Sequence, residues 1–229
     1  MFGAMTEMRR AGNGRQGWKQ DPVGVRANIL AVARAEFAAS GLSGARIDEI
    51  AAKTRTSKRM IYYYFTDKDR LYREVLEDAY REVRAGEEAL ELSDLKPIEA
   101  LRRLVEFTFD HHSRNPDFIR LVMIENIHDA RYLAQSPAIK KVNKTAIDRL
   151  ERIYNEGLAE GVFRPGIKPI ELHWQISALS FFNVSNRATF AGIFGSALTR
   201  PSGQKTLSAD VVAMVLRFVL KPELIEKYA

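Results

Sequence analysis

Ile47–Leu71 reads IDEIAAKTRTSKRMIYYYFTDKDRL, and the fold is decided there. The stretch splits into two short helical patterns separated by a turn. Ile47, Ile50 and Ala51 recur at helical spacing and give the first piece one apolar face. Thr54, Arg55 and Thr56 interrupt that pattern. Ser57 can cap the second piece by accepting from the free amides of Arg59 or Met60. That piece carries Lys58, Arg59, Tyr62, Tyr63 and Tyr64 within two turns. Two short helices joined by a tight turn, the second rich in Lys, Arg and Tyr, fit a helix-turn-helix whose second helix docks in a DNA major groove.

Working outward, Gly41-Leu42, Ile47-Asp48-Glu49-Ile50-Ala51, Ser57, Tyr62-Tyr63-Tyr64-Phe65, Lys68 and Leu71 together resemble the DNA-binding domain of TetR-family transcriptional repressors. The resemblance covers roughly Arg26 to Leu76. The family usually places small residues and a Gly in the turn and an apolar residue before the Ser, whereas this chain has Thr54, Arg55 and Thr56. The rest of the chain resembles the family in architecture, with a weaker likeness to repressors of small-molecule catabolism. The resemblance implies an all-α protein with an N-terminal three-helix DNA-binding domain followed by a larger helical ligand-binding and dimerisation domain. It assigns Tyr62, Tyr64 and Lys68 to contacts with the DNA backbone.

Composition agrees with that outline. A chain of 229 residues holds one DNA-binding module plus one larger domain. No run approaches the length of apolar sequence that spans a bilayer, and the N-terminus lacks the apolar core of a secretory signal. Cys is absent, which excludes disulfides and thiolate metal sites. A cytoplasmic protein without cofactor or metal is expected. The net charge of +6 is uneven: Met1–Arg73 holds 14 Lys and Arg against 7 Asp and Glu, so the positive balance sits with the proposed reading module.

Met1 to Gly24 has no periodicity and carries Arg9, Arg10, Arg15 and Lys19, so it is expected to be a disordered basic arm, with the helix-turn-helix domain over 25–72. The first helix is expected over Arg26–Ser40, ended by Gly41, and the second is expected to open at Ser43 or Gly44. Within the third, Ile61 and Phe65 should face the core. Three tyrosines in a row cannot all turn inward, so some must be exposed. Phosphate contacts set register and base contacts choose sequence. The expected DNA-contacting residues are Arg46, Lys58, Arg59, Tyr62, Tyr63, Tyr64 and Lys68, with Arg59 the side chain best suited to read a guanine.

The domain over 73–229 is read as a series of helices: Lys68 to about Leu92, capped by Asp67 or Thr66 and connecting the two domains; Pro97 to about His112, broken by Asn115-Pro116; Asp117–Ile127; a looser stretch to Ser136; Ala138–Glu160; Ile170 to about Phe190; a loop over Gly192–Gly203; and Asp210–Leu220. The last two helices are apolar nearly all round and are expected to form a four-helix interface in a homodimer, which two DNA half-sites also favour.

Polar groups among apolar helices mark a candidate small-molecule site. The expected effector contacts are Phe107, His111, Glu125, Trp174, Asn183 and Arg187, with Arg187 and Asn183 placed to hold a carboxylate bidentately. Catalysis is not expected. Glu125-x-x-His128 has the spacing of a di-iron helix, but the chain has no second copy, and it has no Gly-rich phosphate loop and no GxSxG elbow. The alternative, a helical bundle working through protein partners or a metal, leaves the Lys/Arg/Tyr helix without a use. The expected partners are a double-stranded operator, a small-molecule effector such as a catabolic metabolite, and a second copy of the chain, with no membrane.

Overall fold

The computed structural model describes residues 21–229, and the regular elements among them are helical: α1 (Pro22–Gly44), α2 (Ile47–Thr54), α3 (Lys58–Phe65), α4 (Lys68–Glu88), α5 (Pro97–Arg114), α6 (Pro116–Ile127), α7 (Pro137–Ala159), α8 (Pro169–Ser185), α9 (Arg187–Phe194), α10 (Pro201–Val219) and α11 (Ile225–Tyr228). The nearest thing to a strand among the described residues is an isolated antiparallel bridge between Phe163 and Leu220.

The basic arm expected over 1–24 lies outside the described residues as far as Gln20. Its last residues do not belong to an arm. Asp21 Oδ1 accepts from the Gly24 amide at 2.8 Å, and Pro22 occupies the first turn, so α1 starts four residues before the expected Arg26. The helix breaks where expected: Gly41 has φ +68°, a conformation that strains a side chain bearing a Cβ, and its carbonyl accepts from the Ala45 amide. The second helix does not open at Ser43 or Gly44. Arg46 is extended, and α2 begins at Ile47 with Asp48 and Glu49 in its positive first turn.

The turn after α2 is built without glycine. Arg55 sits in the left-handed region (φ 53°, ψ 33°), its amide donating to the Ala52 carbonyl while the Thr56 amide donates to that of Ala51. This paired pattern closes a helix C-terminus and usually employs Gly, so Arg carries a steric penalty of about 1 kcal/mol. Ser57 then caps α3 by accepting from the Met60 amide at 3.1 Å. Asp67, rather than Thr66, caps α4 through the Arg70 amide at 2.6 Å.

Ile29, Ala33 and Phe37 of α1, Ile47 and Ile50 of α2, Ile61 and Phe65 of α3, and Leu71, Tyr72 and Val75 of α4 share one buried cluster. Burial of each large apolar side chain contributes about 1.5–3 kcal/mol. Phe37 and Tyr72 meet edge to face at 5.1 Å. The cluster continues along α4 to Val83 and takes in Phe118, Ile119 and Leu121 of α6, so packing is unbroken across the expected boundary at 72/73. A second cluster joins α5, α7, α8 and α10 through Leu101, Val105, Leu150, Ile153, Leu172, Ile176, Val212 and Leu216.

Two expected elements differ from the structure. The helix expected over 170–190 is two helices, α8 and α9, which part at Asn186 (φ −104°, ψ 4°). The loop expected over Gly192–Gly203 is mostly helical: α9 runs to Phe194, and α10 starts at Pro201, well before Asp210. The first turns of α10, Pro201–Ala209, have too little apolar periodicity to be legible. Gly203 belongs there because a Cβ would meet the Ala197 carbonyl oxygen at 2.3 Å.

Candidate nucleic-acid interface and internal cavity

Ile61 and Phe65 are fully buried and fix the rotation of α3 about its axis. The opposite face is thereby committed to solvent. Lys58, Arg59, Tyr62 and Tyr63 are exposed, Tyr63 at 78%. Tyr64 is half-buried, packed against the head core and edge to face with Tyr63 at 5.4 Å. Two of the expected contacts reach across to the ends of α1 and α2 around their junction. Lys58 Nζ lies 3.1 Å from Asp48 Oδ1, and Lys68 Nζ lies 3.5 Å from the Ser43 carbonyl oxygen. Arg46, exposed, stands on the short link between the two helices. The seven residues thus divide into an outward face on α3 and a basic group around residues 43–48, with Tyr64 partly buried.

The head is braced to α4 by charge. Glu74, with a side chain 9% exposed, accepts from Arg26 of α1 and from Arg70 one turn earlier, and Arg34 of α1 pairs with Glu82. Lys53 bonds Glu36 at 2.7 Å within the head, and this carboxylate raises the Lys53 pKa. The DNA-reading unit and the first half of α4 are therefore tied together by packing and by ion pairs.

The second half of α4 borders an open-mouthed cavity of about 630 Å³, with Ile170 and Trp174 more than half exposed at its edge. Tyr80, Val83, Arg84 and Glu87, successive residues on one α4 face, form one wall. Thr108 and His112 come from α5, Phe118, Val122 and Asn126 from α6, and His173, Trp174 and Phe181 from α8. Glu87, 5% exposed, binds Arg84 through Oε1 and Arg149 of α7 through Oε2 at 3.2 Å. Burial holds His112 and His173 neutral, lowering each pKa to about 4; Arg84 adds to the effect on both, after neighbouring His111 in the case of His112.

Of the six expected effector contacts, only Trp174 lines this cavity. Phe107 instead packs against α4, with its ring tip 2.6 Å from where a Cβ on Gly86 would lie. His111 stands beside it, ring centroids 5.5 Å apart; both its ring nitrogens are buried without partners, and burial lowers its pKa. Glu125 serves the turn after α6. Its Oε2 accepts from the Tyr132 and Leu133 amides at 3.0 and 2.9 Å, stabilising a loop in which Asp129 and Ala130 both have positive φ. Asn183 and Arg187 are also engaged within the fold. Asn183 and Gln204 exchange two amide bonds at 2.9 Å, and Arg187 Nη2 donates to Gln204 Oε1 at 3.0 Å and to Ser113 Oγ at 3.4 Å. This knot ties α5, α8, α9 and α10 together.

The cavity residues missing from the sequence reading, Arg84 and Glu87 above all, look in sequence like an ordinary i,i+3 surface pair. His112 and His173 stood among polar groups in apolar helices, but only the packing of α5 against α8 brings them together. Among the described residues no group of three His, Cys, Asp or Glu could hold a metal, and no helix is long and apolar enough to cross a membrane.

A buried three-helix head carrying an outward basic and tyrosine-bearing helix, joined by α4 to a helical domain with a cavity of its own, defines a DNA-binding transcriptional regulator. Residues 29–75 match the pattern described as bacterial regulatory proteins, tetR family, and residues 97–215 match the tetracyclin repressor-like C-terminal domain. The chain is 32% identical over 196 residues to the HTH-type transcriptional repressor NicS of Pseudomonas putida, covering 86% of this chain and 91% of that one. It is also similar to the solved structure of SCO4942, a transcriptional regulator from Streptomyces coelicolor, with 27% identity, a TM-score of 0.66, and coverage of 86% and 99%. The ketosteroid transcriptional regulator KstR2 of Mycobacterium tuberculosis shares the fold at 22% identity and a TM-score of 0.64, over 86% of this chain and 95% of that one. The chain belongs to the tetR family.

Proposed function

We propose that the protein is a homodimeric transcriptional repressor released from its operator by a small molecule bound in the α4–α5–α6–α8 cavity. The observation that carries the reading is the orientation of α3. With Ile61 and Phe65 locked inward, Lys58, Arg59, Tyr62 and Tyr63 are exposed toward a duplex, Lys58 held only by its exposed pair with Asp48. Arg59 is assigned to a base edge and Tyr62 and Lys68 to phosphates, with Arg46, Lys58, Tyr63 and Tyr64 in support. The repressor sense is supported by the name of the Pseudomonas putida relative.

A second copy is supported by the apolar groups left uncovered on α8 and α9, where Trp174, Phe182, Ile193 and Phe194 are more than half exposed. The helix expected as their partner, 210–220, spends most of its apolar residues within its own chain, and Met214 is its large exposed one. Two reading helices in a dimer multiply the specificity of one.

Release follows from α4. One end of this helix holds the head through Glu74 and Glu82, and the other lines the cavity through Arg84 and Glu87. A ligand that binds more tightly to the arrangement in which the two heads mismatch the operator shifts the population to it. Selection of bound fragments from the source genome tests the reading: an enriched sequence with two half-sites supports it, and no enrichment over bulk DNA contradicts it. A hydrodynamic mass of one chain at micromolar concentration would remove the dimer.

A further inference from the structure

We propose that the cavity takes a small molecule with an apolar body and a single negative charge, held by Arg84. The inference rests on the ligand-responsive reading above and specifies its ligand. Its basis is the charge inventory. Two guanidinium groups, those of Arg84 and Arg149, share the one carboxylate of Glu87, and all three side chains are at most 15% exposed. Both Glu87 oxygens are occupied, and only Nη1 of Arg84 has a carboxylate partner. Arg84 Nε is buried with no partner at all. A guanidinium has five N–H donors, so this cluster is left with surplus donors and one uncompensated positive charge.

Arg149 stands outside the lining, whose one guanidinium is Arg84 and whose one carboxylate is Glu87, so the sharing of Glu87 with Arg149 is what leaves Arg84 under-compensated toward the cavity. His112, 8% exposed with Nδ1 buried and unpartnered, lines the same space. Burial, with Arg84 adding to it, keeps His112 and His173 uncharged. The two neutral rings therefore supply hydrogen-bonding groups without adding charge. Phe118, Trp174 and Phe181 provide apolar walls that a hydrophilic anion such as phosphate would leave unused. A dianion would exceed the single surplus charge and meet Glu87.

The test uses the full-length protein and two fluorescent probes with one apolar body: the anion anilinonaphthalene sulfonate and its uncharged parent phenylnaphthylamine. The expected result is that the anion binds more tightly. Arg84→Met should weaken the anion by about tenfold or more and leave the uncharged probe within about twofold, as expected for one charged hydrogen-bonded contact. Glu87 keeps Arg149 in that variant, so no buried charge is orphaned. Ile147 of α7 also lines the cavity, and Ile147→Trp, which puts a bulky ring into it, should weaken both probes together and so separate the cavity from the apolar face on α8 and α9. Phenylacetate should displace the anion, and phenylacetamide should not. Equal affinity for the two probes, or equal weakening of both by Arg84→Met, overturns the proposal. If the anion binds as stated while the operator complex persists at saturation, the charge preference stands and the release mechanism falls.

Discussion

On α3, Lys58, Arg59, Tyr62 and Tyr63 point outward from a helix pinned by Ile61 and Phe65, whereas in the helical domain Arg84, Glu125, Asn183 and Arg187 turn inward and hold protein partners. Arginine is exposed in one region, as Arg59, and engaged within the fold in the other, as Arg187. Helix α3 keeps its polar groups outward by giving its inward positions to Ile61 and Phe65. The helical domain uses its polar groups to join helices, and around Arg84 the pairing falls short of the charge present.

The sharpest way to break this contrast is to remove one acid from each region. Glu87→Gln leaves two buried guanidinium groups without a carboxylate and should lower the unfolding free energy in urea by about 3–5 kcal/mol. Asp48→Asn, which breaks the exposed pair with Lys58, should change it by less than about 1 kcal/mol. Similar losses from both would mean that the two regions do not differ as described.

Legibility in the sequence follows the same division. The orientation of α3 could be read because both its buried and its exposed residues lie within eight consecutive positions. The capping by Ser57 and Asp67, the break at Gly41 and the Asn115-Pro116 break are local in the same way. The role of Arg187 could not be read, because its partners Ser113 and Gln204 lie 74 and 17 residues away and reach it only through helix packing. Glu125 looked available for a ligand until the turn carrying Tyr132 and Leu133 folded back onto it. Arg84 and Glu87 were hidden for the opposite reason. Their spacing suggests a solvated pair, and the packing of α5–α8 is what encloses them.

Arg59→Ala tests the outward region by itself. Loss of a bidentate base contact should weaken operator binding by about 1–3 kcal/mol per half-site and relax specificity at one position, as read by anisotropy on matched and mismatched duplexes. Fold stability should stay within about 0.5 kcal/mol, since the side chain is exposed. Loss of folding together with loss of binding would place Arg59 in the core account instead.

Acid should act on the inward region. His112 and His173 stay neutral in the native state down to about pH 4, while in the unfolded chain they take up protons below about 6.5. Unfolding is therefore increasingly favoured as pH falls from about 6.5 to 4, and this contribution to stability is complete above that range. One pKa unit corresponds to about 1.4 kcal/mol, so the loss should be measurable in urea titrations across this range. His112→Gln with His173→Gln should flatten the slope, and an unchanged slope would show that the rings are not buried neutral.

The smallest effect belongs to the turn between the two head helices. Arg55→Gly removes a side chain from the left-handed region and should raise head stability by about 1 kcal/mol or slightly less, since Gly also loosens the unfolded chain. A clear loss would show that the Arg55 side chain stabilises the turn through contacts of its own.

The central claim, that the outward face of α3 and the basic group beside it meet a duplex, is tested most directly by the salt dependence of operator binding. For the Tyr62→Phe, Lys68→Ala double variant, the plot of log affinity against log salt should lose about 0.9 in slope per lysine removed, hence about 2 for a dimer, with weaker binding throughout. A slope and an affinity equal to those of the unsubstituted protein would contradict the account.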